Sequence, residues 1–260
     1  MLQPLAYVHP NAKIAENVVI EPFVSIEKDV EIGKGTWIGS NVTIMQGARI
    51  GENCKIFPGA VVSAIPQDLK FEGENSLAII GDNTTVRECA TINRGTSVTG
   101  KTIIGDNTLI MAYAHVAHDC SIGNHCILVN GVALGGHVKL GDWAILGGLS
   151  AVHQFVNIGK HSMVSGGALV RKDVPPYVKA AREPLSFVGI NSIGLRRRGF
   201  EDEKIKEIQN IYRILFQSNK NNTQAILKME AELSVSTERD EIISFIRNSG
   251  RGIMRGYNQI

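Results

Sequence analysis

The chain has 260 residues, 43% hydrophobic and 20% charged, with a formal net charge of +2. That balance excludes a disordered chain and gives no global electrostatic case for nucleic-acid binding; no stretch approaches the roughly 20 continuous apolar residues of a membrane span. Its 2 Trp, 5 Tyr and 8 Phe stand against 27 Gly, so the interior must rely on small aliphatic side chains in some regular arrangement rather than on large rings. The first residues, Met1-Leu2-Gln3-Pro4-Leu5-Ala6, lack the basic start and apolar block of a secretory signal, which predicts a soluble, cytoplasmic protein.

From Val8 an aliphatic residue recurs every six positions through Ile14, Ile20, Ile26, Ile32, Ile38, Ile44, Ile50 and Ile56 to Val62. The period resumes at Ile80 and runs to Val170, with Val98 in phase, giving 26 positions that are all Ile, Leu or Val. Two residues before each stands a small side chain, such as Ala6, Cys54, Cys120, Ala144 or Ser162, and ten of the 26 are followed directly by glycine. A period of 3.6 reads as a helix and strict alternation as a strand. A period of six fits a short flat strand followed by a corner, and three such units close a triangular coil. Stacking the coils at about 4.8 Å predicts a prism roughly 40 Å long.

Between Val62 and Ile80 the inward positions would fall on Pro66, Asp68, Glu72 and Glu74. Unpaired carboxylates are too costly to bury there. Residues 63–77 are therefore read as a loop leaving the prism, with Asp68 and Lys70 as its polar candidates. After Val170, Asp173-Val174-Pro175-Pro176-Tyr177 ends the coils and a mixed linker follows. Residues 171–198 carry seven basic and two acidic side chains. From Phe200 to Ser249 there is no glycine, and Ile205, Ile208, Tyr212, Leu215 and Phe216 follow helical spacing. Thr223 or a neighbouring Asn is expected to cap a second helix, and Ser236 or Thr237 a third, with Gly250 as its stop signal. The expected organisation is a prism over 1–190 and a small helical domain over 191–260. Cys54, Cys120 and Cys126 take the small inward position, and the absence of a CxxC pair argues against disulfides and a thiolate metal site.

Five of the seven histidines fall between residues 115 and 153. Outward residues eighteen apart stack on neighbouring coils, which puts His118 in line with Gly136 and Gln154, and Asp119 in line with His137, with His153 one step aside. His118, Asp119, His137, His153 and Gln154 thus cluster on one edge, and Gly136 leaves room beside His118 for a ligand. His125, Trp143 and His161 form a separate column, read as structural. The cluster could supply a general base. It could equally hold a metal through its imidazoles, or simply complete the coil corners.

Five stretches narrow these options: residues 63–70 (SAIPQDLK), 114–120 (AHVAHDC), 151–155 (AVHQF), 173–177 (DVPPY) and 197–200 (RRGF). With the repeat, they resemble the UDP-N-acetylglucosamine O-acyltransferase family of lipid A biosynthesis, within the wider class of hexapeptide-repeat transferases. The resemblance spans essentially the whole chain. It implies a left-handed parallel β-helix followed by a small C-terminal α-helical domain, a homotrimer with sites between subunits, and no cofactor or bound metal. The implied reaction moves an (R)-3-hydroxyacyl chain from acyl carrier protein to the glucosamine 3-hydroxyl of UDP-N-acetylglucosamine.

Carried over by residue, the resemblance makes His118 the general base, Asp119 its support and Gly136 an oxyanion donor. Asp68, Lys70, His115, His137, His153 and Gln154 would contact substrate, as would Asn191, Arg197 and Arg198, with the arginines suited to a diphosphate. Gly166 matches the acyl-length ruler, and its missing side chain implies a long chain of about fourteen carbons or more. Because Gly166 is one third of a coil out of phase with His118, a groove touching both implies two neighbouring subunits. Asn93 and Ile193 depart from the family pattern, standing where it often has histidine and a carboxylate. The basic segment 171–198 suits an acidic carrier protein. Alternatives are the sister N-acyltransferase of the same pathway, a zinc hydratase of the γ-carbonic-anhydrase type, and a non-enzymatic β-helix scaffold.

Overall fold

Each six-residue unit becomes a two- to four-residue strand and a corner, because Ile, Leu and Val suit extended backbone and the next residues turn it. The computed structural model describes residues 5–217 and 221–256. Strands from Tyr7–Val8 to Leu169–Val170 form a nine-stranded parallel face, here face I, and those from Lys13–Ile14 to Asn157–Ile158 form the eight-stranded face II. Face III runs from Val19–Ile20 to Met163–Val164. Together they wind a left-handed parallel β-helix of triangular section. Nine strands at about 4.8 Å make face I roughly 38 Å long.

The aliphatic positions fill the interior: Ile26, Ile38, Ile44, Ile56, Val62, Val86, Ile92, Ile110 and Leu128 have no exposed surface. Cys54, Cys120 and Cys126 are buried beside them, and burial pushes the Cys120 and Cys126 thiols up to about 12. A residue at nearly every corner adopts positive φ, among them Asn17, Asp29, Asn53, Asn107, Asp119, His125, His137 and His161. Asn, Asp and His tolerate that region better than bulkier side chains. Since these corner side chains point outward and repeat every coil, they form ladders along the three edges.

One of the 26 positions is not a corner. Val98 is 72% exposed. Ile80 pairs with Ile104, so that coil is six residues longer than the regular eighteen, and residues 94–100 form a second projecting loop. Its length equals one repeat, so it leaves the period intact. The first loop is also shorter than expected, 65–76, because the strands Val61–Ala64 and Leu77–Ile80 extend into its two ends.

The linker is not irregular. Val178–Ala181 continues face III and pairs antiparallel with Ser186–Ile190. Helix α1 (Ser192–Arg197) follows, then α2 (Asp202–Gln217), α3 (Asn222–Glu232) and α4 (Thr237–Arg247). Asn221 caps α3 and Ser236 caps α4; α4 is closed by its C-cap Asn248, two residues before Gly250. Strand Arg255–Gly256 returns to pair with the hairpin. Phe187 stacks on Tyr212 and Phe216, and the Tyr212 hydroxyl donates to Pro176 O at 2.6 Å. Asp173, fully buried, accepts from Asn157 N at 2.8 Å and Ser249 Oγ at 2.6 Å, which ties the last coil to the C-terminal segment.

Candidate active site

Both loops leave the prism from the same edge, where face I turns into face II. Loop 65–76 joins Val61–Ala64 to Leu77–Ile80, and loop 94–100 joins Thr91–Asn93 to Lys101–Ile104. The next three turns of that edge carry His118-Asp119, Gly136-His137 and His153-Gln154-Phe155. The stacking expected from the eighteen-residue period is observed: His137 N–H donates to His118 O, and Phe155 N–H to Gly136 O.

His118 is held from two sides. Its Nδ1 lies 2.7 Å from Asp119 Oδ2. A Cβ on Gly136 would stand 2.6 Å from both Cε1 and Nε2 of the His118 ring. Only glycine admits the ring in that position. With Nδ1–H donating to the carboxylate, Nε2 is left as the basic nitrogen.

Asp119 has no exposed side-chain surface. Burial pushes its carboxyl up, but hydrogen bonds from Thr99, His118 and Thr96 outweigh that and bring it to about 2. Thr96 donates its N–H at 3.1 Å and its hydroxyl at 2.8 Å, and the Thr99 hydroxyl also donates to the carboxylate. The Asp119 backbone N–H in turn donates to Thr102 Oγ1 at 2.9 Å.

His137 Nε2 is 3.8 Å from Asp119 Oδ2, and its ring meets His118 edge-on at 5.2 Å and stacks on Phe155 at 4.5 Å. Burial lowers its pKa, His118 adds to this, and Asp119 and Asp68 act against it. Asp68 is thus close enough for its charge to reach His137. Its Oδ1 accepts the Lys70 N–H at 3.0 Å. Asn93 Nδ2 donates to Ile65 O at 3.0 Å, and Arg94 lies over the Phe71 ring at 5.4 Å, so the base of loop 65–76 is fastened to the coil. Asn93 therefore has an anchoring contact in this chain. His115 faces outward on face I, bonded to Thr91 Oγ1 at 2.8 Å; burial lowers its pKa, with the His118 charge adding. His153 and Gln154 are exposed on the third turn.

The remaining predicted site residues lie on other edges. Gly166 is exposed where face III meets face I, beside Gly148 O at 3.0 Å from its Cβ direction. Asn191 and Arg198 converge on the His125-Trp143-His161 column, where face II meets face III. Asn191 caps α1 and donates to His161 O at 3.0 Å. The Arg198 guanidinium sits 3.3 Å from His161 Nδ1 and 5.1 Å over Trp143. That column, read from the sequence as structural, is where two of the expected nucleotide contacts, Asn191 and Arg198, attach. Arg197 and Ile193 are exposed nearby. The sequence does not single out Thr96 and Thr99, because the loop carrying them is in phase with the repeat.

A family model described as Udp N-acetylglucosamine O-acyltransferase, Domain 2, matches residues 173–254, and one for six bacterial transferase hexapeptide repeats matches 101–136. An acyl-[acyl-carrier-protein]–UDP-N-acetylglucosamine O-acyltransferase of Janthinobacterium sp. (strain Marseille) is 44% identical over 260 residues, covering 98% of this chain and 99% of that one. The chain belongs to the UDP-N-acetylglucosamine O-acyltransferase family. The family's enzyme from Bacteroides fragilis 9343 superposes with a TM-score of 0.97 at 52% identity, over 98% of this chain and 100% of that one. The Francisella novicida enzyme gives 0.96 at 42% identity, over 99% and 95%. For a member of this O-acyltransferase family, the zinc alternative has one geometric argument: His118, Asp119 and His137 offer ligand atoms within 4.8 Å of one another. Against it, four donors already occupy the Asp119 carboxylate, which has about four lone-pair sites. No helix among the described residues is long and apolar enough to cross a membrane.

Proposed function

We propose that the protein transfers an (R)-3-hydroxyacyl chain from acyl carrier protein to the 3-hydroxyl of the glucosamine ring of UDP-N-acetylglucosamine, with His118 as general base. The observation that carries this reading is the His118 ring, fixed by Asp119 at Nδ1 and packed on Gly136 at Nε2. Nε2 takes the proton from the sugar hydroxyl as its oxygen attacks the thioester carbonyl. The imidazolium that forms is stabilised by Asp119, which stays ionised. Collapse of the tetrahedral intermediate forms the ester C–O bond and breaks the C–S bond, and His118 returns the proton to the leaving thiolate. No covalent enzyme intermediate is required.

The Gly136 N–H is the proposed donor to the oxyanion. Among the described residues its neighbours Gly135 N and His137 N are engaged, to Val152 O and His118 O, while Gly136 N has no such partner. Asp68 and Lys70 contact the sugar nucleotide, and His115, His137, His153 and Gln154 line the site. Asn191, Arg197 and Arg198 contact the nucleotide, and Gly166 sets acyl length. These groups occupy three different edges of one prism, so the complete site is built in a homotrimer, with neighbouring subunits supplying the other edges. The same reading divides the chain into a prism over 1–190 and a helical domain over 191–260, and places the enzyme in the cytoplasm.

Incubating the purified protein with UDP-N-acetylglucosamine and a series of (R)-3-hydroxyacyl carrier proteins, with product masses read out, tests this. The expected product is the 3-O-acyl sugar nucleotide, formed best from long donors. Absence of transfer from every donor, or stoichiometric zinc lost together with activity, would overturn it.

A further inference from the structure

Asp119 is a charge buried at a corner whose own turn supplies one donor, the His118 Nδ1–H. A buried carboxylate with a single partner is costly and free to choose another. Another is at hand, since His137 Nε2 is 3.8 Å from the same oxygen that His118 uses. The remaining donors come from loop 94–100. The Thr96 hydroxyl is aimed: its oxygen accepts the Val98 N–H at 3.2 Å, leaving its single proton for Asp119. The Thr99 hydroxyl lies against Asp119 Oδ1 with the Lys101 carbonyl also within reach at 2.9 Å. Because an ionised carboxylate carries no proton of its own, the close contact assigns the Thr99 proton to Asp119.

The same loop is fastened to loop 65–76. Ser97 N–H donates to Glu74 Oε1 at 2.8 Å, and Glu72 N–H donates to Glu74 Oε2 at 2.9 Å. Glu74 thus bridges the segment that carries Asp68 and Lys70 and the segment that holds Asp119.

We propose that Thr96 and Thr99 are positioning residues for acyl transfer, holding Asp119 in the rotamer that aligns His118 rather than His137, and that the Glu74–Ser97 contact makes this hold depend on loop 65–76. The proposal rests on the general-base reading of His118. Removing either hydroxyl frees the carboxylate to turn toward His137, so His118 loses its orientation while the substrate contacts remain. Loosening Glu74 disturbs both loops, and therefore both sugar-nucleotide binding and turnover.

The test is steady-state kinetics on Thr96→Val, Thr99→Val and the two serine variants, with UDP-N-acetylglucosamine and an (R)-3-hydroxyacyl carrier protein. Each valine variant is expected to lower kcat by about tenfold or more, the loss of one charge-assisted hydrogen bond, with KM for the sugar nucleotide within about twofold of wild type. Serine keeps the hydroxyl and is expected to restore kcat. Thr99 is exposed, so its valine variant folds and decides the matter even if the buried Thr96 variant does not. Glu74→Ala is expected to raise KM and lower kcat together, and Glu74→Gln, whose single oxygen still accepts the Ser97 N–H while the Glu72 N–H loses its acceptor, to restore the larger part of both. Wild-type kcat in Thr99→Val, or a loss that serine does not restore, would overturn the proposal. His118→Ala run alongside separates the two levels: full activity there defeats the general-base reading, whereas an inactive His118→Ala beside a fully active Thr99→Val defeats only the positioning role.

Discussion

Replacing Gly136 by alanine probes the site with a single methyl group. Gly136 does not occupy the positive-φ region, so alanine costs nothing in backbone strain. The added Cβ would stand 2.6 Å from Cε1 and Nε2 of His118 and 3.3 Å from Cδ2. Ordinary contact begins at 3.4 Å, so the ring edge bearing the basic nitrogen must retreat by about 0.8 Å. Asp119 cannot follow, because Thr96 and Thr99 hold its carboxylate and Thr102 accepts its N–H. A misplacement of about 1 Å at a reacting group costs on the order of a hundredfold in rate, or about 2.7 kcal/mol of barrier. The expected variant folds normally, binds UDP-N-acetylglucosamine with KM little changed, and turns over roughly a hundredfold more slowly. The assay is kcat and KM at saturating acyl donor, with thermal denaturation as the control on folding. A folded Gly136→Ala protein with wild-type kcat would mean that the nitrogen facing Gly136 is not the base.

Two further expectations follow from other edges of the prism. Burial, with Arg198 and Lys160 adding and Asp142 opposing, holds His161 at about 4, against its ordinary 6.5. The unfolded chain therefore takes up a proton that the folded one refuses, so this contribution to stability is complete above about pH 6.5 and is lost as pH falls toward 4, by about 1.4 kcal/mol per pH unit at most. Asp119, depressed from 3.8 to about 2, contributes stability that is lost only below this window. His161→Asn, which suits the positive φ there, should melt lower at pH 7.5 yet lose less between pH 7.5 and pH 5 than wild type; parallel melting curves would contradict the assignment. Separately, Gly166→Trp protein should reject long acyl donors, and in the proposed homotrimer, mixing it with His118→Ala chains should recover activity at the interfaces that combine an intact His118 edge with an intact Gly166 edge. Mixed assemblies with no recovered activity would mean that one chain supplies both.

Much of the prism was legible because its corners must be aliphatic: of the 26 residues in phase, all but Val98 head a corner in the interior or at its ends. Val98 shows where periodicity stops informing. An insertion one repeat long keeps every later residue in register, and Thr96 satisfies the small-residue rule while serving another purpose. Loop 65–76 was visible because its length placed Asp68, Glu72 and Glu74 where no charge can be buried. Helices α2 to α4 were announced by spacing and by caps at Asn221 and Ser236. Helix α1 is six residues long and the hairpin before it follows no period, so neither left a signal.

At the site, the His118-Asp119-His137 cluster followed from the eighteen-residue period alone, since stacked turns bring such residues together whatever they do. The Thr96 and Thr99 donors to Asp119 could not be read, because they belong to a loop whose path no repeat specifies. Nor could the attachment of Arg198 to the Trp143-His161 ladder, which depends on how α1 and the segment after it fold back on the prism. Departures from the family pattern at Asn93 and Ile193 part company in the structure: Asn93 anchors loop 65–76, while Ile193 is 60% exposed at the start of α1.

The proposed removal of the sugar hydroxyl proton by His118 is tested most directly by the turnover of His118→Ala. General-base catalysis contributes about 10²–10⁴-fold. The expected variant is a folded protein that still binds UDP-N-acetylglucosamine and transfers acyl groups at least about a hundredfold more slowly than wild type. Transfer within about threefold of the wild-type rate would contradict it.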